Sequence, residues 1–171
     1  MISLGNIESD RPDAVATGAV ADSIAHLLKN EQLCALATLN EDLTPHINNA
    51  YFAQLADCDL TIWSSPKTQH CRNIERHGAV AISIFSTETS WGADVHGLQM
   101  FGEMRLATGA DAARAFRAYA SKYVGLTQWA KAIDDADRMF ESRFYSFHTR
   151  KIKLIDERRF GKENYVVAST S

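Results

Sequence analysis

Short apolar runs separated by turn-forming residues, with only one short helical segment among them, fill the middle of the chain and restrict it to a mainly β architecture. Leu33 to Leu39 is an apolar run ending at the turn-rich tripeptide Asn40-Glu41-Asp42. Thr44 to Ala53 then resumes as a strand, so the pair reads as a hairpin. Asp57-Cys58-Asp59 marks the next turn, Leu60 to Ser64 a third strand, and Val80 to Phe85, rich in β-branched and aromatic side chains, a fourth. From Val95 to Leu106, Leu98, Met100, Met104 and Leu106 alternate with Gln99, Glu103 and Arg105, the pattern of a long half-buried strand. Phe144 to Phe147 and Lys151 to Ile155 add two adjoining extended segments, and the polar stretch from Gly161 onward is either an edge strand or loose.

Helical spacing occurs mainly at the flanks. Val20, Ile24, Leu27 and Leu28 form one apolar stripe. In the segment Gly109 to Val124, Ala112, Phe116, Tyr119, Ala120 and Tyr123 share a face suited to core or dimer packing, and Gly125 is placed to end the helix. Trp129 to Phe140 reads as a further helix, with Asp134, Asp135 and Asp137 at its solvated start. This order lacks the regular βαβα rhythm of a doubly wound sheet. Sequential hairpins point instead to an antiparallel barrel with helices outside it, and closure removes exposed strand edges. With 171 residues and 46% hydrophobic content, the chain is read as one domain, 1–171. Its first fifteen or so residues form a polar lead whose order the sequence leaves open.

Several function classes fall away on composition. A formal net charge of −3 and the absence of a Lys/Arg-rich run argue against a nucleic-acid binder. Met1 to Val15 carries Glu8, Asp10 and Asp13 and no continuous apolar stretch, so neither a signal peptide nor a membrane span is expected, and the reading is a cytoplasmic protein. Cys34, Cys58 and Cys71 are odd in number and widely spaced, which suits reduced thiols. His70, Cys71 and His77 match neither structural-zinc nor zincin spacing, so no metal site is expected. Gly97 and Gly102 lie within an apparent strand and form no dinucleotide fingerprint.

The run Trp63-Ser64-Ser65-Pro66-Lys67-Thr68-Gln69-His70 joins a strand end to a helix start. With Ser65 as N-cap and Pro66 as the first residue of a helix reaching Arg76, Lys67, Thr68 and His70 fall in its opening turn and a half. There the unpaired N–H groups and the helix dipole favour a phosphate. The same octapeptide also suits an ordinary capped helix with a solvated Lys.

The motifs LATLN (36–40), TPHINNAYFA (44–53), LTIWSSPKTQHCRNIERHGAVAISIF (60–85), GLQMFGEMRL (97–106) and FHTRKIKLID (147–156), in that order, carry a resemblance. Together they resemble the FMN-binding split-barrel family, whose best-known members are the pyridoxamine 5′-phosphate oxidases. Within it the chain looks like a small, poorly characterised bacterial branch with a Lys-Thr-x-His run and a Gly-x-Gln-x-x-Gly strand. The resemblance implies a mixed, mainly β fold, an antiparallel split β-barrel with flanking α-helices. It implies FMN as cofactor, bound at the subunit interface of a homodimer. By position, Asn48, Asn49, Ala50 and Tyr51 would lie along the isoalloxazine ring, Trp63, Ser64, Lys67, Thr68 and His70 at the phosphate end, and Gln99 toward the pyrimidine edge.

His70 stands where the oxidases carry a phosphate-binding Lys in the ungapped register, while Lys67 is offset toward the helix start. A Lys is a fixed cation near neutral pH and a His titrates there, so phosphate affinity is expected to fall as pH rises. The implied activity is that of a flavin-dependent oxidoreductase acting on a small molecule, with the redox chemistry supplied by the cofactor. No catalytic acid or base is assigned. His46, His96 and Tyr51 are near-ring candidates by resemblance, each equally readable as a structural residue. Arg158 and Arg159 occupy the region where the oxidases recognise pyridoxal phosphate, yet the surrounding signature of a vitamin B6 oxidase is missing. A non-catalytic flavin or haem binding protein, or a deazaflavin-dependent reductase of the same fold, are the alternatives.

Overall fold

Alternating burial along the apolar runs turns them into strands that each give one side to a common core. The computed structural model describes residues 2–9, 16–87, 90–133, 135 and 141–170. Its strands are β1 (Ile7–Ser9), β2 (Leu33–Leu39), β3 (Pro45–Gln54), β4 (Leu60–Ser64), β5 (Ala79–Phe85), β6 (His96–Leu106), β7 (Arg143–Asp156) and β8 (Val166–Ser169). With them come helices α1 (Thr17–Asn30), α2 (Gln69–Arg76), α3 (Gly109–Lys122) and the single turn α4 (Glu157–Phe160), and a 3₁₀ turn at Val124–Gln128.

The strands follow one another in the order β1-β8-β7-β4-β3-β2-β5-β6, and β6 returns to pair with β7. Strands β7, β4, β3, β2, β5 and β6 thereby close an antiparallel barrel, as the hairpin rhythm implies. The closing seam runs from His96 opposite Asp156 to Leu106 opposite Tyr145. It slips once, because Phe101 faces Lys151 while Gly102 faces Thr149, which leaves Arg150 as the extra residue of a β-bulge. Gly102 is required there, since a Cβ would collide with the carbonyl oxygen of His148.

Leu36, Ile62, Ile82, Leu98, Met100, Phe147, Ile152 and Leu154 fill the barrel. Val20, Ile24, Leu27 and Leu28 of α1 join the same core, each adding roughly 1.5–3 kcal/mol by leaving water. A second cluster forms where Ala112, Ala115, Phe116 and Tyr119 of α3 cover Phe144 and Ala53. Helices α1 and α2 close opposite ends of the barrel. The first precedes Leu33 and reaches His96 and Asp156 through Ser23, whereas α2 is hydrogen-bonded through Asn73 to Thr38 and Asn40 at the far end of β2.

Local readings shift in several places. The extended segments at 144–147 and 151–155 are one strand, β7, which bends through the bulge without breaking. The tail supplies strand β8, paired with β7 on one side and with β1 of the polar lead on the other, so the edge is β1 and not the tail. Helix α3 ends at Lys122, and Gly125 lies inside the following 3₁₀ turn. The expected helix over 129–140 does not form at its start, where 129–132 are turn, bend or irregular, and residues 134 and 136–140 lie outside the described residues, Asp134 and Asp137 among them. No helix among the described residues is long and apolar enough to cross a membrane.

Candidate functional site

Strands β3 and β4 are paired only from Phe52–Gln54 to Leu60–Ile62. Beyond these pairs they part. Trp63 and Ser64 continue against Phe144 and Arg143 of β7, and on the side away from β2 the edge of β3 from Pro45 to Tyr51 meets no strand among the described residues. Peptide N–H and C=O groups along that edge are therefore available to a ligand.

Side chains on β3 divide between two faces because strand periodicity is two. Asn48 and Ala50 stand opposite buried Leu36 and Cys34, on the inner face, together with His46 opposite Thr38. Asn49 and Tyr51 point outward with exposed Ile47. Trp63 and Ser64 likewise part company. The indole of Trp63 stacks on Phe144 at 5.8 Å under α3, whereas Ser64 shares the inner face with Ile62 and meets His70.

After Ser64 the chain makes a β-turn. Thr68 N donates to Ser65 O at 3.0 Å, and Pro66 supplies the preset φ of the second turn position. The helix expected from Pro66 thus starts three residues later, at Gln69. Ser65 Oγ caps the turn by accepting from Lys67 N at 3.3 Å. Thr68, the N-cap of α2, bonds Ser65 O through its hydroxyl at 2.8 Å and gives the helix no side-chain cap, so the opening amides of α2 have no side-chain acceptor there.

Three polar side chains converge at this uncapped end. His70 is 6% exposed, and its Nε2 lies 2.8 Å from Ser64 Oγ and 3.2 Å from Thr68 Oγ1. Burial, reinforced by the nearby His46, holds the His70 imidazole below the usual histidine range. The ring is accordingly neutral at neutral pH. The Lys67 ammonium is paired with Glu141 at 2.7 Å on the open surface, where solvent screens the interaction. Its hydrogen bond to Glu141 holds the ammonium above the usual lysine range.

Beneath these groups lies a network the sequence reading missed. Fully buried Asn73 donates from Nδ2 to Thr38 Oγ1 and to Asn40 Oδ1, both at 3.0 Å, and accepts at 2.8 Å from Gln69 Nε2. This network bolts α2 to the end of β2. A buried amide in the middle of a short helix was the available signal. Beside it opens a shallow polar depression lined by Asn40, Glu41, Asp42, His46, Gln69, Arg72 and Arg76, in which the two guanidinium groups of α2 are balanced by two carboxylates and Arg76 pairs with Glu41 at 3.3 Å.

Gln99 lies on another face from the His70 junction. It stands on the outer face of β6 opposite Ser83, which is opposite Ala35, which is opposite Asn49. Three interstrand steps put Gln99 about 14 Å from Asn49 across that face. Leu33, Ile47, Tyr51, Phe85 and Phe101 are exposed around this row. The near-ring candidates separate as well: His46 adjoins His70, Tyr51 packs edge-on against Tyr123 at 5.6 Å, and His96 lies at the α1 end of the barrel. Cys34 and Cys58 are buried free thiols, and desolvation pushes each up to about 12.

A closed antiparallel barrel with this diverging β3–β4 junction matches a known arrangement. The family model for pyridoxamine 5′-phosphate oxidase fits residues 20–156, most of the chain. The chain belongs to this family. No curated protein matches it in sequence. Solved structures that share this chain's fold include two haem proteins and one candidate pyridoxamine 5′-phosphate oxidase. A haem-binding protein from Mycobacterium smegmatis superposes with a TM-score of 0.73 at 15% identity, over 91% of this chain and 60% of that one. HutZ, the haem storage protein of Vibrio cholerae, gives 0.56 at 15% identity, over 75% and 89%. A Listeria innocua protein assigned as a candidate pyridoxamine 5′-phosphate oxidase gives 0.60 at 16% identity, over 79% and 97%. The chain spans about three fifths of the length of the mycobacterial protein.

Proposed function

We propose that the protein binds FMN as a homodimer and acts as a flavin-dependent oxidoreductase on a small molecule. The observation that carries this reading is the convergence of Ser64, Thr68 and His70 at the uncapped start of α2, beside an unpaired strand edge. A phosphate needs several donors aimed at one point. Here the Ser64 hydroxyl, the His70 imidazole and the first amides of a helix supply them, Thr68 giving its hydroxyl proton to Ser65 O, and Lys67 lies one residue before Thr68 with only an exposed partner to leave. These residues fit the phosphate of FMN. The open edge of β3 fits the flat, hydrogen-bonding rim of the ring.

When bound, flavin supplies hydride or one-electron transfer. The chain's own part is to grip the phosphate, align the ring along residues 45–51, and exclude water. Asn49, Tyr51 and Gln99 face outward, away from the grip, so a second copy set on that face is needed for them to wall in the ring. This is the physical support for a dimer with the cofactor between subunits. No residue is assigned as acid or base.

The haem-binding and haem storage proteins of the same fold favour a second reading, a haem carrier without turnover. One experiment separates the two. Protein purified without added cofactor is denatured, and the released chromophore is identified by mass and absorption. FMN in stoichiometric amount with a dimer in sedimentation supports the first reading. A Soret band and released haem support the second, and a colourless protein that takes up neither overturns both.

A further inference from the structure

At the end of the barrel closed by α1, away from Ser64 and His70, lies a cavity of about 510 Å³ between α1, the start of β6, the end of β7 and α4. That volume falls in the range of small-molecule sites. Its one buried carboxylate is already satisfied. Asp156, 4% exposed, accepts from Ser23 Oγ at 2.7 Å and from Arg159 N at 3.1 Å, and has Arg159 Nε at 3.5 Å and His96 Nε2 at 3.6 Å. Fully buried Ser23 also lies 3.0 Å from His96 Nε2. Ser23 and Asp156 therefore form a brace that fixes the imidazole of His96 in one orientation, and neither offers a free group to a ligand.

What remains to meet a ligand is of one character. His96 stacks with His26 of α1, ring centres 5.7 Å apart and planes 29° from parallel. Arg158 makes no ion pair or hydrogen bond among the described residues and points its chemistry into the same cavity. Phe85 and Val95, each about half exposed, supply apolar wall, and Asp94 at the rim is the only uncompensated acid among the lining residues. A guanidinium fork suits a carboxylate, and a pair of stacked imidazoles beside a Phe suits a flat apolar body.

We propose that this cavity binds a small organic anion, a carboxylate carried on an aromatic or similarly flat apolar body, with Arg158 and the His26–His96 pair as the recognising groups. The site uses none of the phosphate-gripping residues and lies at the opposite end of the barrel, sharing only Phe85 with the outward face that the flavin reading gives to a second copy. Asp156, Arg159, His26, Glu31 and Ser23 all face or influence His96, and the sum of burial and these charges favours its neutral form, so acidification adds positive charge to the site.

The test uses the full-length protein and benzoate as probe, with benzyl alcohol and inorganic phosphate as comparisons, followed by calorimetry and by the ring-proton NMR signals of His26 and His96. Saturable one-to-one benzoate binding is expected, moving both His signals, with benzyl alcohol and phosphate at least tenfold weaker. Arg158→Gln and His26→Gln, both at exposed positions, each weaken benzoate at least fivefold, and Arg158→Lys recovers part of the loss. FMN uptake stays unchanged in these variants, so failure here and failure of the flavin reading are told apart. Absence of saturation, equal binding of benzyl alcohol, binding of phosphate alone, or full benzoate affinity in both Gln variants overturns the proposal.

Discussion

Ser64 Oγ lies 2.8 Å from His70 Nε2, across the turn that joins β4 to α2. This contact puts a strand residue and a helix residue on one small polar surface, where the same ring nitrogen also meets Thr68 Oγ1 at 3.2 Å.

Removing Ser64 from that surface together with the nearby Lys67 ammonium tests the grip. Charge-assisted hydrogen bonds to phosphate contribute roughly 1.5–3 kcal/mol each. The double variant Ser64→Ala with Lys67→Ala is therefore expected to weaken FMN at least tenfold in fluorescence titration, with the far-ultraviolet circular dichroism spectrum unchanged.

The pH dependence has a definite sign at His70. Burial and His46 lower its affinity for a proton in the folded, cofactor-free chain, so the unfolded chain binds that proton more readily. Stability is then fully present above about pH 6.5, the ordinary histidine value, and falls as the pH drops through the folded-state titration. A bound phosphate opposes this by favouring the imidazolium. FMN affinity is expected to rise on acidification below pH 6.5, and His70→Lys is expected to abolish that slope. A flat profile in the unaltered protein counts against the assignment.

Asn73 carries a structural prediction. Removing its amide in Asn73→Ala takes the donor from buried Thr38 and one bond each from half-buried Asn40 and Gln69, which keep their mutual contact at 3.3 Å, at roughly 1–3 kcal/mol for the stranded hydroxyl. Chemical denaturation reads the loss directly. FMN affinity is expected to fall with it, since α2 loses its anchor to β2.

Gly102→Ala sets a Cβ against the carbonyl of His148 at the bulge. Forcing the β6–β7 seam apart is expected to cost about 1–3 kcal/mol, the scale of overpacking, seen as a lower denaturation midpoint. The benzoate and FMN sites lie away from this point of the seam, so both affinities are expected to hold below the midpoint.

Much of the barrel was legible because the apolar runs at 33–39 and 80–85 and the alternation along 95–106 are local signals that the strand burial reproduces, save that Leu106 ends β6 exposed. The residue types at 63–70 also marked the β4–α2 junction. Less legible was which groups would share a surface. Asn48 and Asn49 are neighbours in sequence and fall on opposite faces of β3, and Trp63 and Ser64 split in the same manner. Pro66 fits a helix start and a β-turn equally well, and the Ser65 and Thr68 hydrogen bonds decide for the turn. Ser23, His96 and Asp156 are far apart in the chain and meet only through barrel closure, a long-range event with no local trace.

Helices α1 and α2 stopper the barrel at its two mouths, and side chains occupy the lumen between them. Chemistry in such a molecule is confined to rims and seams. Rim residues can therefore be exchanged, and one kind of guest traded for another, while the packed cylinder that sets rigidity goes undisturbed. Relatives of one shape with haem in some names and a vitamin oxidase in others are what that separation of duties would produce.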